Sequence, residues 1–277
     1  MKIFNKKRPL VSYLLSLRKN HSIGFVPTMG ALHEGHVSLI KRSNKTCDVT
    51  ICSIFVNPTQ FNNDTDLSNY PKALKNDLTL LEKSNCNIVY IPESTDLYSK
   101  GEKSKKFNFG NVANNLEGKY RPGHFEGVAT VVEKFFNIIN PTKAFFGEKD
   151  LQQLQIVKIL IDQMNSDIEI VSLPTIRETN GLAKSSRNEL LSKYEKEKAR
   201  HIYRGLMYCK KHKHKGVYNL KKYFKKEMEG QNIKLEYVEI VNKETMEPVK
   251  EWGRENTNAI CVSAYVSDIR LIDNIIL

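Results

Sequence analysis

The sequence predicts an α/β protein: a doubly wound parallel-sheet, Rossmann-like domain over residues 1–174, then a smaller α+β domain over residues 175–277. Three observations carry this. Short apolar runs of β type alternate with helical patterns through the first two-thirds of the chain, which is how a parallel sheet with crossover helices is written. The stretches that follow several of these runs are polar and shaped by Gly or Pro, as ligand loops at strand ends are. Past Pro174 the character changes to long Lys-rich helical segments and then to β-patterned runs.

Taken in order, Lys6, Lys7 and Arg8 precede the apolar stretch Leu10 to Leu17, a loose imitation of a signal peptide. Arg18 and Lys19 follow at once and no small-residue cleavage site appears, so the segment reads as an amphipathic helix opened by Pro9. Strands are expected at Ser22 to Val26, Val49 to Val56, Asn87 to Ile91, Lys143 to Phe146 and Ile168 to Leu173. Between them, helices are expected at His36 to Lys45, Tyr70 to Ser84, His124 to Ile139 and Leu151 to Met164. The third is the clearest, because Val128, Val131, Val132, Phe135, Ile138 and Ile139 form one stripe at helical spacing. After a turn at Asn180-Gly181 come the basic helical segments, then β-patterned Leu235 to Val241, Ala259 to Val266 and Ile269 to Leu277.

With 277 residues, 40% hydrophobic and 27% charged, the chain is too apolar for disorder and long enough for two domains. No apolar run approaches the roughly 18 to 20 residues of a membrane-spanning helix. Its five cysteines are scattered and never spaced as CxxC, which fits reduced thiols in a cytosolic protein and argues against a zinc site.

The polar stretches fall where a doubly wound sheet binds ligands. The first strand of the alternating pattern runs into Pro27-Thr28-Met29-Gly30-Ala31-Leu32-His33-Glu34-Gly35-His36, the second into Asn57-Pro58-Thr59-Gln60-Phe61, and a later one into Gly147-Glu148-Lys149-Asp150. His33 and His36 stand at the mouth of a helix, where both imidazoles and the free N–H groups of the first turn can face one anion. This is not the HExxH zinc pattern, which places its histidines four apart on a formed helix. Lys149 can supply a point charge to a phosphate, and Ser185-Ser186-Arg187 two hydroxyls and a guanidinium, although serine is also an ordinary helix cap.

The strings PTMGALHEGH, FVNPTQF, DLSNYP, RPGHFEGV, FGEKDLQQL and GLAKSSRN, in this order, resemble the pantoate–β-alanine ligase family of the HxGH nucleotidyltransferase superfamily across nearly the whole chain. The resemblance implies ATP-dependent condensation of pantoate with β-alanine through a pantoyl adenylate. It places Met29, Gly30, Ala31, Leu32, His33, Glu34, Gly35 and His36 on ATP, with His36 credited as proton donor. Gly147, Glu148, Lys149 and Asp150 match a second ATP-holding segment; Ile176 and Lys184 match backbone contacts to adenine, and Ser185, Ser186 and Arg187 the triphosphate clamp. Catalytic roles fall to His36, His33, Lys149 and Arg187. Gln60 and Gln153 match the pantoate-binding glutamines; Asn57, Tyr70 and Arg121 are further substrate candidates. Mg²⁺ is expected with the ATP phosphates and no metal site of the protein's own; a homodimer is a family expectation.

Position 184 is more often apolar in the family, so Lys184 is a departure, expected to leave the site working and to add a charge near the phosphates. Two alternatives stand beside this reading. A nicotinate mononucleotide or phosphopantetheine adenylyltransferase would keep HxGH and lose the pantoate glutamines. A nucleic-acid-binding protein would suit the net charge of +12. That charge is local: residues 196–226 hold twelve Lys/Arg and one Asp/Glu, +11 of the total, so the rest of the chain is nearly balanced. Tyr203, Tyr208, Tyr218, Tyr223 and Phe224 within that segment have helical spacing and are expected to face the core.

Overall fold

The computed structural model describes residues 1–254 and 257–277. Six parallel strands, β1 (Lys2–Phe4), β2 (Ile23–Thr28), β3 (Val49–Ile54), β4 (Ile88–Tyr90), β5 (Lys143–Gly147) and β6 (Glu169–Leu173), form a sheet in the order β1-β4-β3-β2-β5-β6. A second, antiparallel sheet consists of β7 (Lys234–Asn242), β8 (Asn258–Val266) and β9 (Ile269–Ile276). The helices are α1 (Lys7–Leu17), α2 (Glu34–Thr46), α3 (Asp64–Ser68), α4 (Leu74–Lys83), α5 (Ser94–Leu97), α6 (Leu116–Tyr120), α7 (His124–Ile139), α8 (Leu151–Gln163), α9 (Lys193–Lys211) and α10 (Val217–Gly230).

The parallel strands read as near-continuous apolar runs because both faces are covered. Alternate side chains go to opposite layers. Phe25, Ile51, Ile88, Tyr90 and Phe146 join Leu10 and Leu14 of α1 and the apolar stripes of α7 and α8. Val26, Cys52, Val89 and Phe145 point the other way, against Leu39 and Ile40 of α2 and Leu81 of α4. All five cysteines are buried and unpaired.

The small sheet packs against α9 and α10 around Leu206, Leu220, Phe224, Val238 and Ile260. Its other face does not stand apart: Tyr237, Val241, Ala259 and Cys261 continue the first core. A buried ionic cluster fastens the junction. Glu117 of α6 accepts from the Tyr237 hydroxyl at 2.7 Å and from Arg270 of β9 through Nη1 at 2.8 Å and Nη2 at 2.7 Å.

Three expectations need correction. Helix α1 begins at Lys7, so Pro9 sits inside its first turn; the Lys7 N–H donates to the Asp96 carboxylate at 2.6 Å, which starts the helix earlier. Helix α4 begins at Leu74 and not Tyr70: Pro71 pushes Tyr70 out of the helical region, and Ala73, at φ −138° and ψ 45°, is the non-helical N-cap. Of the aromatics in the basic segment only Phe224 is fully buried. Tyr218 is 76% exposed, and Tyr208 lies stacked between Tyr223 and His212 on the partly buried surface of α9 and α10.

Candidate active site

The strand order reverses between β2 and β5, and the loops leaving their carboxyl ends diverge to open a crevice. A cavity of about 220 Å³ lies there. Met29, His33, Gly35 and His36 line it from β2, Gly147, Lys149 and Asp150 from β5, Asn57 and Gln60 from the loop after β3, and Gln153 from α8. The segment after β6 covers it with Ile176, Lys184, Ser185, Ser186 and Arg187, and Tyr70 completes the wall. Phe55, Val128, Val131 and Phe135 supply an apolar side.

The HxGH segment folds as a reciprocal cap at the start of α2. His33 is the N-cap residue; its Nδ1 accepts the Gly35 N–H at 3.1 Å, while its own N–H donates to Nδ1 of His36 at 3.2 Å. A histidine pair here does the work that Ser and Glu do in an ordinary capping box. The Gly35 N–H is therefore engaged by an imidazole, contrary to the expectation that the first-turn N–H groups stand free for an anion. Because both Nδ1 atoms accept from the backbone, the proton of each neutral ring resides on Nε2. Burial, then the charges of Lys149 and Lys184, push the His33 ring down to about 4. Burial and the neighbouring His33 hold His36 well below its ordinary value, Asp150 opposing and Lys149 reinforcing the shift. Both rings are neutral at pH 7.

The cations are held by carboxylates. Lys184 Nζ lies 3.0 Å from Glu34, Lys149 Nζ 3.7 Å from Asp150, and the Arg187 guanidinium pairs with Asp66 of α3. Glu34 thus answers the added charge of Lys184 and itself lies outside the cavity lining, as does Glu148. The second sheet reaches in to fix this edge. Asn274 of β9 donates to the carbonyls of Glu148 and Lys149 at 2.8 and 2.9 Å, and buried Asp273 binds Arg177, at 2.6 Å through its Nη1 and 3.0 Å through its Nη2.

The neighbouring glutamines of α8 diverge. Gln152 turns inward, donating to the carbonyls of Val112 and Asn115 and accepting the Glu117 N–H, while Gln153 faces the cavity. Gln60 accepts from Asn57 Nδ2 at 3.1 Å, and Asn57 also donates to the Gly127 carbonyl and accepts from Tyr98, so its side chain is occupied as a brace. Gly127 is required by close approach: a Cβ there would stand 2.6 Å from Gln60 Cα. Arg121 lies outside this cavity, beside a smaller one of about 40 Å³ that shares Lys149, Asp150 and Gln153. It contacts the Gln60 carbonyl at 3.5 Å, which also receives the His124 Nδ1–H at 2.8 Å.

Gly30, Ala31 and Leu32 are also absent from the described cavity lining. The N–H groups of Ala31 and Leu32 instead donate to Asp77 of α4, at 3.0 and 2.7 Å. Sequence reasoning passed over Asp77, Asp66 and Asn274. None carries a local signal, since each acts on a segment more than 40 residues away.

A doubly wound sheet whose switch point carries two capped histidines, a lysine at a strand end and a Ser-Ser-Arg cover defines a nucleotide-binding α/β protein of the HxGH type. Comparison with known proteins narrows the class. The sequence model of the pantoate–beta-alanine ligase family matches residues 2–276. The chain is 43% identical over 271 residues to the pantothenate synthetase of Cytophaga hutchinsonii, covering 94% of this chain and 93% of that protein. It is 44% identical over 279 residues to that of Flavobacterium psychrophilum, covering 99% of each. Among solved structures, pantothenate synthetase from Thermus thermophilus superposes with a TM-score of 0.92 at 33% identity, covering 99% of both chains. The Francisella tularensis pantoate–beta-alanine ligase, described as complexed with beta-gamma ATP and beta-alanine, gives 0.85 at 36% identity, covering 100% of this chain and 97% of that one. The chain belongs to the pantoate–β-alanine ligase family.

Proposed function

We propose that this protein condenses (R)-pantoate with β-alanine at the expense of ATP, through an enzyme-bound pantoyl adenylate, releasing pyrophosphate and AMP. The observation that carries the reading is the meeting, in one cavity, of phosphate-type groups (His33, His36, Lys149, Ser185, Ser186, Arg187) with two neutral amides, Gln60 and Gln153, beside an apolar wall. Neutral amides suit pantoate's hydroxyls and place no fixed charge beside its reacting carboxylate, while Val128, Val131 and Phe135 suit its geminal methyls.

In the first step a carboxylate oxygen of pantoate attacks the α-phosphorus in line, and pyrophosphate leaves with the electron pair of the broken P–O bond. The amine of β-alanine then attacks the acyl carbon, AMP departs, and the ammonium proton is lost to give the amide. No covalent protein nucleophile is required; positioning and neutralisation of phosphate charge suffice. Lys149 and Arg187 supply fixed cations. His36, held neutral by burial, acts as an Nε2–H donor to a phosphate oxygen rather than by net proton transfer.

No group of three or more His, Cys, Asp or Glu able to hold a metal is present among the described residues. Mg²⁺ accompanying the ATP phosphates would find Asp150 as a cavity-lining carboxylate to hold it, and would neutralise phosphate charge. The proposal includes two domains, 1–174 and 175–277, the second covering the nucleotide through residues 176–187. It also includes a homodimer and a cytoplasmic location, which rest on family resemblance. Among the described residues no helix is long and apolar enough to cross a membrane.

The test is product analysis. Purified protein given ATP, Mg²⁺, pantoate and β-alanine should yield pantothenate and AMP in equal amounts. Formation of ADP, or of an adenylylated nucleotide or pantetheine product, would refute it.

A further inference from the structure

The turn between β2 and α2 contains two successive left-handed residues, Gly30 at φ +84° and Ala31 at φ +48°. Glycine adopts this conformation freely, whereas alanine does so only when its surroundings compel it. The compulsion comes from one side chain. Asp77 of α4 is 2% exposed, and its two carboxylate oxygens each take one N–H of the turn, Oδ2 from Ala31 at 3.0 Å and Oδ1 from Leu32 at 2.7 Å. The preceding N–H, of Gly30, donates to Thr28 Oγ1 at 3.2 Å, so three consecutive N–H groups are satisfied by protein.

With its N–H groups held inward, the turn presents its carbonyls on the opposite side. There Ser186 Oγ donates to the Ala31 carbonyl at 3.0 Å and approaches that of Gly30 at 3.5 Å. The same peptide planes thus connect Asp77, buried behind the sheet's ligand edge, to the Ser185-Ser186-Arg187 cover. They also lead directly into the His33 cap. Asp77 does not line the cavity and touches nothing that would react.

We propose that Asp77 is a positioning residue for ATP: by gripping the N–H groups of Ala31 and Leu32 it sets the peptide planes that seat Ser186 and deliver His33 and His36 to the phosphates. This rests on the reading of residues 29–36 and 185–187 as the nucleotide site. The carboxylate is matched to the task, offering one acceptor to each of two donors. An asparagine of the same shape would accept one N–H and turn its amide donors toward the other. Gly30 lies close against the same carboxylate: a Cβ there would meet Asp77 Oδ2 and Ile54 Cγ2, each at 3.1 Å.

The test is Asp77→Asn, assayed by pantoate-dependent exchange of pyrophosphate into ATP and by overall turnover at varied β-alanine. The expected result is a KM for ATP raised about tenfold with the KM for β-alanine within twofold of wild type. A merely structural role would lower kcat in proportion to the lost folded fraction and leave the KM for ATP unchanged, and that result would overturn the proposal. If Asp77→Asn does not fold, Asp77→Glu keeps the charge but moves the carboxylate one methylene out of register with the two N–H groups and should show the same selective rise; an unchanged KM for ATP there would also overturn it. Wild-type protein without pantoate-dependent exchange would refute the functional reading and this inference together, whereas normal wild-type exchange with an unaltered KM in the variants refutes the inference alone.

Discussion

Arg187, which lines the cavity, and Asp66 of α3 form a forked ion pair: Nη2 lies 3.0 Å from Oδ1 and 2.8 Å from Oδ2, and Nε 3.2 Å from Oδ1. The ring of Tyr70 lies 5.4 Å from the guanidinium carbon. The carboxylate therefore takes up the Nε and Nη2 donors of Arg187, which on the proposed function would serve the triphosphate. A partly exposed pair of this kind is worth on the order of 1 kcal/mol. Asp66→Asn should accordingly lower the KM for ATP by about fivefold with kcat little changed, measured by initial rates at varied ATP. A raised KM would show instead that Asp66 aims Arg187 at the phosphates.

Replacing Arg187 by Lys retains the charge and loses the planar fork, so two parallel N–H bonds to phosphate become one point contact. A loss of about 2 kcal/mol, roughly thirtyfold in kcat/KM for ATP, is expected. Lys184→Met makes the contrast. Its Nζ is already answered by Glu34, which is 68% exposed, so the KM for ATP should change by less than about threefold. A larger effect would show that Lys184 reaches the nucleotide.

The capped histidines give a spectroscopic prediction. Burial and the nearby lysines bring His33 to about 4, so its ring should titrate there in the free enzyme and stay neutral from pH 6 to 8. Proton–nitrogen correlation spectra of the imidazoles should show Nδ1 unprotonated and Nε2 protonated for both His33 and His36 at pH 7. A midpoint near 6.5 for His33 would contradict the arrangement described.

Acid stability tests the junction between the sheets. Burial alone would raise the Glu117 carboxyl, but the hydrogen bonds and charge of Arg270, with Arg121 and Tyr237, outweigh it and bring it from 4.5 down to about 2. A carboxylate whose folded value is depressed contributes stability that is complete above its unfolded value and is lost as pH falls through the folded one. The contribution, on the order of 3 kcal/mol, should therefore disappear between about pH 4.5 and 2. Glu117→Gln should be less stable by about 3 kcal/mol at pH 7, with a flatter decline over that window in urea unfolding. Parallel pH curves for the two proteins would contradict the assignment.

Much of the fold and the lining of the cavity was legible in the sequence, and the reasons are local. Buried parallel strands such as Val49–Ile54 need apolar side chains on both faces, and helices such as His124–Ile139 need a 3.6-residue stripe, so both leave periodic traces. His33, His36, Lys149, Gln60 and Ser186 were visible because strand ends bring short polar strings to one edge. What was not visible depends on contacts distant in sequence. Asp77 looks like any polar residue on an amphipathic helix, and only the folded chain brings it beneath Ala31. Asn57 bears the marks of a ligand residue, yet the fold uses its amide to brace Gln60 and α7. Tyr218 has the spacing of a core residue and lies in solvent, because Val217, Leu220 and Phe224 already fill that face of α10.

If the cavity activates pantoate as an acyl adenylate, formation of the adenylate is reversible and returns pyrophosphate to ATP. The most direct measurement is exchange of labelled pyrophosphate into ATP with each substrate supplied in turn. Exchange should require pantoate, proceed without β-alanine, and be lost in His36→Ala although that variant stays folded. Exchange supported by nicotinate mononucleotide or phosphopantetheine in place of pantoate, or undiminished exchange in His36→Ala, would contradict it.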